Sequence, residues 1–421
     1  MAAMTESTIV RRPWSVRAAL VRVHRWLGLG IALFLFVAGL TGALISWDHE
    51  LDAVLNPRLF VADSGVAAAS DAPSQAATSR ARGGLELAAQ LESRDPRLQV
   101  IYTPLVAVPG ETLQMLVAPR IESATGKLVQ LDFNQVAIDP STGVVQGRRE
   151  WGAVSLAREN LLPFLYKLHY TMHIPDVRGV QLGIWVMGIV GIVWVLDGIV
   201  ALAISFPSRA AWRKSLAFRW GKGGFPLLFD LHRSSGVWLW LLLLVVALTS
   251  VSMNLQYQVV RPIVARFSTL SPDVFSTRRP VSAEKAIEPA ISREQVVQLA
   301  RGEAARRQIS APAGAVFYSP EYATYGVGFF SPGQDHGDGG LGNPWLYFDA
   351  ASGAPVGAAV PGTGSAGDLY MQAQFPLHSG RIAGTTGRVV VSALGLVVAS
   401  LSLTGVLIWV RKQRARRLQA D

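Results

Sequence analysis

Half of the 421 residues are hydrophobic and only 16% are charged, against roughly 25% in ordinary soluble domains. The formal net charge of +10 comes from basic residues gathered beside long apolar runs, a pattern of membrane anchoring rather than nucleic-acid binding. Cysteine is absent, which excludes disulfides, thiolate zinc sites, iron–sulfur clusters and covalently attached c-type haem.

Segment 1–47 sets Arg11, Arg12, Arg17, Arg22 and Arg25 before the apolar run Trp26–Trp47. Crossing about 30 Å of hydrocarbon takes about 20 residues, and this run is longer than a signal-peptide core. No small-residue cleavage site precedes Trp47-Asp48-His49, so the run is expected to remain as a helix. Segment 48–165 is polar enough to fold outside the membrane. Leu131–Val145 reads as strand, turn and strand around Asp139-Pro140 and Gly143. Val66–Arg82, rich in Ala and Ser, reads as a flexible surface loop.

Segment 166–206 carries His169 and His173 and then a second apolar span, Gly179–Phe206, interrupted only by Asp197. A basic loop follows at 207–233, with Arg209, Arg213, Lys214, Arg219 and Lys222, and it ends on His232-Arg233. The third span is Ser234–Val260. In segment 261–376, Glu284–Arg306 has helical periodicity and Trp345–Val356 repeats the strand–turn–strand pattern. Segment 377–421 opens with His378, continues into the fourth span Val389–Val410 and closes on a basic tail from Arg411 to Arg417.

Four crossings put all three basic clusters on one side of the membrane. Both termini and the loop 207–233 are therefore expected in the cytoplasm, and the two long segments outside it. The chain also reads as an internal duplication. A shift of 208 positions takes His24-Arg25 to His232-Arg233 and Thr41 to Thr249. Shifts of 210 and 209 take Asp139 and Gly143 to Asp349 and Gly353, and His169 to His378. The expected fold is a membrane α-helical bundle: four transmembrane helices in two parallel repeats, with two external α+β modules.

The repeat sorts the seven histidines. His24 and His232 begin outward-going helices at the cytoplasmic face; His169 and His378 precede inward-going helices at the outer face. An axis along the membrane normal would bring each pair together, and two facing neutral imidazoles in a bundle suit a bis-histidine b-type haem. Two such haems are expected. Zinc is less suitable, because two ligands leave its tetrahedron half empty. A lone interfacial histidine beside arginine is usually a capping or snorkelling residue, but four at equivalent positions, each after Val or Leu, argue against that.

His173 lies four residues beyond His169 and is the second choice for its role. His49 reads as an exposed helix end, and Asp335-His336-Gly337-Asp338 as a solvated loop. Asp197 should face the bundle interior, either carrying a proton or bonding a neighbouring helix. Thr41-Gly42 and Thr404-Gly405 read as close helix contacts, and Trp185, Trp194, Trp238 and Trp240 as interfacial aromatics. Gly28-Leu29-Gly30 opens a membrane helix rather than following a strand, so no NAD or flavin is expected.

Helix geometry adds one demand. A straight helix from His169 to the middle of the second span would carry that histidine about 35 Å from the bilayer centre, beyond a hydrocarbon boundary about 15 Å out. Bends are therefore expected at Ile174–Gly179, beside Pro175, and at Gly380–Gly387.

His24-Arg25-Trp26-Leu27-Gly28-Leu29, Thr41-Gly42, Leu168-His169, Asp230-Leu231-His232-Arg233, Leu377-His378-Ser379-Gly380 and Thr404-Gly405-Val406-Leu407-Ile408-Trp409 together resemble the PepSY-associated transmembrane-helix family. The turns Asp139–Gly143 and Asp349–Gly353 are similar to that family's external PepSY modules. Asp197-Gly198 and Thr249-Ser250 depart from its Thr-Gly pattern, at places expected to touch no haem ligand. The resemblance implies a di-haem ferric-siderophore reductase of the bacterial inner membrane. It would take electrons from a cytoplasmic donor and pass them to ferric siderophore in the periplasm, with the lipid bilayer as its medium and no nucleic-acid partner. A PepSY-type sensor or assembly protein, and an iron-chelate or haem transporter, are the competing readings.

Overall fold

The computed structural model describes residues 15–64, 82–122, 124–208, 210 and 212–419. Arg11, Arg12, Arg209 and all of the expected loop 66–82 except Arg82 lie outside the described residues. The longer helices are α1 (Val16–Ile45), α2 (Gly84–Arg94), α3 (Leu161–Thr171), α4 (Leu182–Ser205), α5 (Gly224–Trp238), α6 (Trp240–Leu255), α7 (Arg293–Arg306), α8 (Ala366–Ser379) and α9 (Gly384–Arg417).

Four helical segments among the described residues are long and apolar enough to cross a membrane: Val16–Ile45, Leu182–Ser205, Trp240–Val264 and Arg381–Arg417. Each contains most of one expected span. Their outer faces are apolar, with Leu33, Leu196, Leu241 and Leu396 all more than half exposed, while Thr41, Asp197, Thr249 and Ser252 are buried between helices. That inverts the water-soluble pattern, as lipid requires. α1 crosses α9 with backbones in contact: a Cβ on Gly39 would lie 2.5 Å from the Gly395 carbonyl oxygen. α4 meets α6 the same way through Gly188 against Leu255 and Gly191 against Val251. The third span is interrupted, breaking at Leu239 between α5 and α6 and ending in a π-turn at Gln256–Val260.

The two outer segments differ from the expected separate modules. Strands β1 (Leu98–Pro104), β2 (Leu113–Pro119), β3 (Gln135–Ile138) and β4 (Val145–Arg149) come from the first, and β5 (Ala313–Ser319), β6 (Thr324–Phe329), β7 (Trp345–Asp349) and β8 (Pro355–Ala359) from the second. They form one open sheet in the order β4-β3-β2-β1-β5-β6-β7-β8, every neighbour antiparallel. Pairing Tyr102 with Phe317 and Thr103 with Val316 joins two edges that would otherwise be left open. Arg293 reinforces the seam by bonding Glu92 and the Val100 carbonyl, and Arg120 by bonding Glu288.

α2 buries Leu87, Ala88 and Leu91 against Leu98, Val100, Leu113 and Met115. α7 buries Val296, Val297 and Ala300 against Val316, Val327 and Phe348. The helix expected over Glu284–Arg306 begins only at Arg293, because Ser292 and Gln295 form a capping box there. Both expected hairpin turns are present. Asp139 and Asp349 each accept backbone N–H bonds from the residues two and three ahead, and Gly143 and Gly353 supply the positive φ (71° and 73°) that closes the turn. Arg278 bonds Asp349 at 2.7 Å. Partial burial works against the charged form of Asp349, but Arg278 and the Ser352 bonds outweigh it and hold the carboxyl down to about 2.

Both expected reversals occur. α3 stops at Thr171, where Met172 and His173 take left-handed φ of 53° and 52°, and the chain turns back through residues 172–181 into α4. α8 stops at Ser379, and Gly380 (φ 76°) and Gly384 (φ 57°) turn it into α9. The turn is tight: a Cβ on Gly387 would lie 1.9 Å from the Gly380 carbonyl oxygen. α3 and α8 therefore fold down against α1 and α6 instead of extending the membrane helices outward.

Candidate functional site

The reversals place His169 of α3 opposite His378 of α8, with ring centroids 6.1 Å apart and planes tilted by 56°. At the other end of the bundle, His24 of α1 faces His232 of α5 at 6.2 Å and 48°. Thr41 follows His24 by 17 residues on α1 and bonds His169, so the two pairs lie about 26 Å apart along the bundle. Each pair takes one histidine from each half of the chain.

All four imidazoles are held in the same way, by hydrogen bonds at Nδ1. His169 Nδ1 lies 3.0 Å from the Ala38 carbonyl oxygen and 3.1 Å from Thr41 Oγ1. His232 Nδ1 lies 3.0 Å from the Leu401 carbonyl oxygen and 3.1 Å from Thr404 Oγ1. His378 Nδ1 lies 3.1 Å from Thr249 Oγ1, and the ring also meets the Val246 carbonyl. Each clamp is a threonine together with the carbonyl three residues before it, and each threonine hydroxyl donates to the carbonyl four residues back. The fourth clamp is different in kind: His24 Nδ1 lies 2.9 Å from Asp197 Oδ1.

An Nδ1–H that donates to a carbonyl or carboxylate fixes the neutral tautomer and leaves the Nε2 lone pair for a metal. Among the described residues, no protein group bonds Nε2 of these four histidines. With metal–imidazole bonds of about 2.0 Å and a ring radius of just over 1 Å, two trans imidazoles on one ion put their centroids about 6.3 Å apart. The observed 6.1 and 6.2 Å are close to the separation that one metal ion held between each pair would need. Two glycines make room for the rings: a Cβ on Gly42 would meet His169 Cε1 at 2.9 Å, and one on Gly405 would meet His232 Cε1 at 3.2 Å. Among the described residues, two of the three buried polar side-chain atoms without partners are Arg233 Nε, next to His232, and Trp409 Nε1, one helical turn beyond Gly405. Arg233 adjoins His232 in sequence, and Trp409 follows the glycine that faces the His232 ring. Between the pairs, Leu35, Trp194, Leu243, Leu394 and Val398 form an apolar cluster that keeps water out of the centre.

Several sequence readings change here. His173 is not on the face of His169: α3 has already ended, His173 stacks on Phe164 at 4.6 Å, and its Nε2 bonds the Phe164 carbonyl at 2.9 Å. Asp197 touches an expected ligand, contrary to expectation, and it bonds a neighbouring helix. Thr41 and Thr404 are imidazole acceptors as well as close-contact residues. Nothing local in the chain marks this role, since each threonine sits about 130 to 170 residues from the ring it holds. Trp194 and Trp240 turn inward, the latter bonding the Gly198 carbonyl, while Trp185 and Trp238 face out. His49 and His336 are exposed as expected.

Two buried arginines beside the outer turn carry no signal in the sequence. Arg388 bonds Glu50 at 2.7 Å and the Ser46 carbonyl at 2.8 Å, and lies over the Trp47 ring. Arg381 bonds Asp338 at 2.7 Å. Arg388 ties the second reversal to the start of the first outer segment, and Arg381 ties it to the second. No curated protein matches the sequence. Residues 21–412 match the family described as PepSY-associated TM region, a range that takes in most of each apolar helix, both histidine pairs and the whole sheet, and the chain belongs to that family.

Proposed function

We propose that this chain is a di-haem electron-transfer protein of the bacterial inner membrane that reduces ferric siderophore outside the cytoplasm. The observation that carries the reading is the pair of cross-bundle histidine couples at 6.1 and 6.2 Å, each ring fixed through Nδ1. Bound haem supplies a one-electron carrier at each couple. His24 and His232 would hold the one near the termini, and His169 and His378 the one beneath the sheet. The threonine and aspartate clamps orient the rings and hold the Nδ1 protons, and the apolar cluster between the sites excludes water.

Arg213, Lys214, Arg219, Lys222 and the tail from Arg411 to Arg417 support a cytoplasmic position for the termini, and so a cytoplasmic electron donor. The substrate is Fe(III) in an oxygen-donor chelate, which holds the larger and less charged Fe(II) less well, so reduction promotes iron release. The near-equal offsets of the two couples, 208 and 209 residues, support an origin by duplication.

The test is a visible spectrum and pyridine-haemochrome assay on the detergent-purified chain. Two b-type haems are expected, reduced to one by His24→Ala or His169→Ala and left at two by His173→Ala. A folded, colourless preparation would instead favour a sensor or assembly protein.

A further inference from the structure

Three of the four imidazole clamps are neutral, built from a threonine hydroxyl and a backbone carbonyl. The fourth is a carboxylate: Asp197 Oδ1 stands 2.9 Å from His24 Nδ1, and Asp197 is 7% exposed between α4 and α1. Burying a carboxylate inside a membrane bundle is costly, and a neutral threonine serves the other three positions, so the aspartate brings a property the hydroxyl lacks. Its other oxygen lies against Gly28, where a Cβ would stand 3.7 Å away. His24 is the hydrogen-bonding side chain it meets among the described residues. A carboxylate that accepts the Nδ1–H makes the imidazole more electron-donating at Nε2, and a stronger donor favours the more highly charged state of a bound metal. The outer couple, clamped by Thr41 and Thr249, has no such group.

We propose that Asp197 is a positioning residue that gives the electron its direction, by making the His24/His232 site the lower-potential one of the two. The inference rests on the haem reading above. The step is a one-electron transfer in which one site is oxidised as the other is reduced, and no proton or covalent bond changes. With the inner site lower, the transfer toward the sheet is downhill. Back-transfer from the outer site to the inner one is then uphill.

The experiment is a spectroelectrochemical titration of the full-length purified chain, comparing wild type with Asp197→Asn and Asp197→Thr. Asparagine keeps an oxygen acceptor of the same shape without the charge, and threonine copies the other clamps. Wild type should show two midpoint potentials, with the lower step missing in His24→Ala. In both Asp197 variants the midpoint of that lower step should rise by at least about 59 mV, a tenfold fall in the oxidised-to-reduced ratio at a given potential for one electron, while the upper step stays fixed. Unmoved potentials would overturn the proposal, as would loss of the upper step in His24→Ala. Variants that shed the inner haem would also overturn it, since Asp197 would then be needed only to build the site. A wild-type chain with no haem would instead sink the functional reading on which it stands.

Discussion

On the di-haem proposal, replacing Gly42 with alanine should loosen the outer haem while leaving the helix itself no weaker. The new methyl carbon would stand 2.9 Å from His169 Cε1 and 3.4 Å from Nδ1. Ordinary carbon contact begins near 3.5 Å, so the ring must retreat by about half an ångström. The retreat works against its bonds to the Ala38 carbonyl and Thr41 at 3.0 and 3.1 Å. Disturbing a metal ligand's supporting bonds typically costs 10–100-fold in affinity, and that is the loss expected for the outer site. Gly405→Ala is the internal control. Its methyl would stand 3.2 Å from His232 Cε1, a smaller intrusion, and inner-site affinity should fall by less than about tenfold. Alanine is favoured over glycine within a helix by about 1 kcal/mol, so general destabilisation predicts the opposite trend in thermal unfolding. Haem retention after dilution, read by pyridine haemochrome on both variants, is the assay. A Gly42→Ala protein that keeps its outer haem as tightly as wild type would refute the argument that the ring is seated against that glycine.

Three further outcomes follow from the fold. Arg149 and Asp52 form an ion pair at 2.6 Å with side chains 4% and 6% exposed, so Arg149→Met should destabilise the sheet region by about 3–5 kcal/mol, measured by denaturant unfolding in detergent. Asp349 has its folded pKa held down to about 2, so its stabilisation is full above the unfolded value near 3.9 and is lost as pH falls from there through 2. Asp349→Asn should cost at most about 2 kcal/mol at neutral pH and flatten that acid limb, which thermal melts between pH 2 and 6 can follow. Gly380→Ala should disrupt the second reversal, because φ is 76° and its Cβ would stand 2.2 Å from the Gly387 carbonyl oxygen. Limited proteolysis near residue 380 should reveal the disturbance.

The histidine pairing was legible because repetition is a property of sequence: a near-constant offset of 208 to 210 residues marks equivalent positions without any knowledge of contacts. The reversals were legible for a different reason, since helix rise and bilayer thickness leave no room for a straight chain through His169. The clamps were not, because Thr41, Thr249 and Thr404 sit about 130 to 170 residues from the rings they hold, and a threonine in an apolar helix gives no local sign of its partner. The same distance concealed the role of Asp197. His173 misled because spacing of four residues implies a shared face only while the helix lasts, and it ends at Thr171. The fusion of the two outer segments was hidden in the edges of β1 and β5, whose local patterns are those of any strand.

The β1–β5 seam sets a timetable for synthesis. β1 is made early, and its partner appears only some 210 residues later. At the usual 5–20 residues per second, the edge waits roughly 10–40 s on the ribosome before it can be covered. Throughout that interval the first half holds an unpaired strand edge and two lone imidazoles, and α1 still lacks α9 to cross. Closure of such distant contacts is intrinsically slow, so assembly of the second half is the interval in which the nascent chain most needs its edge shielded from other chains.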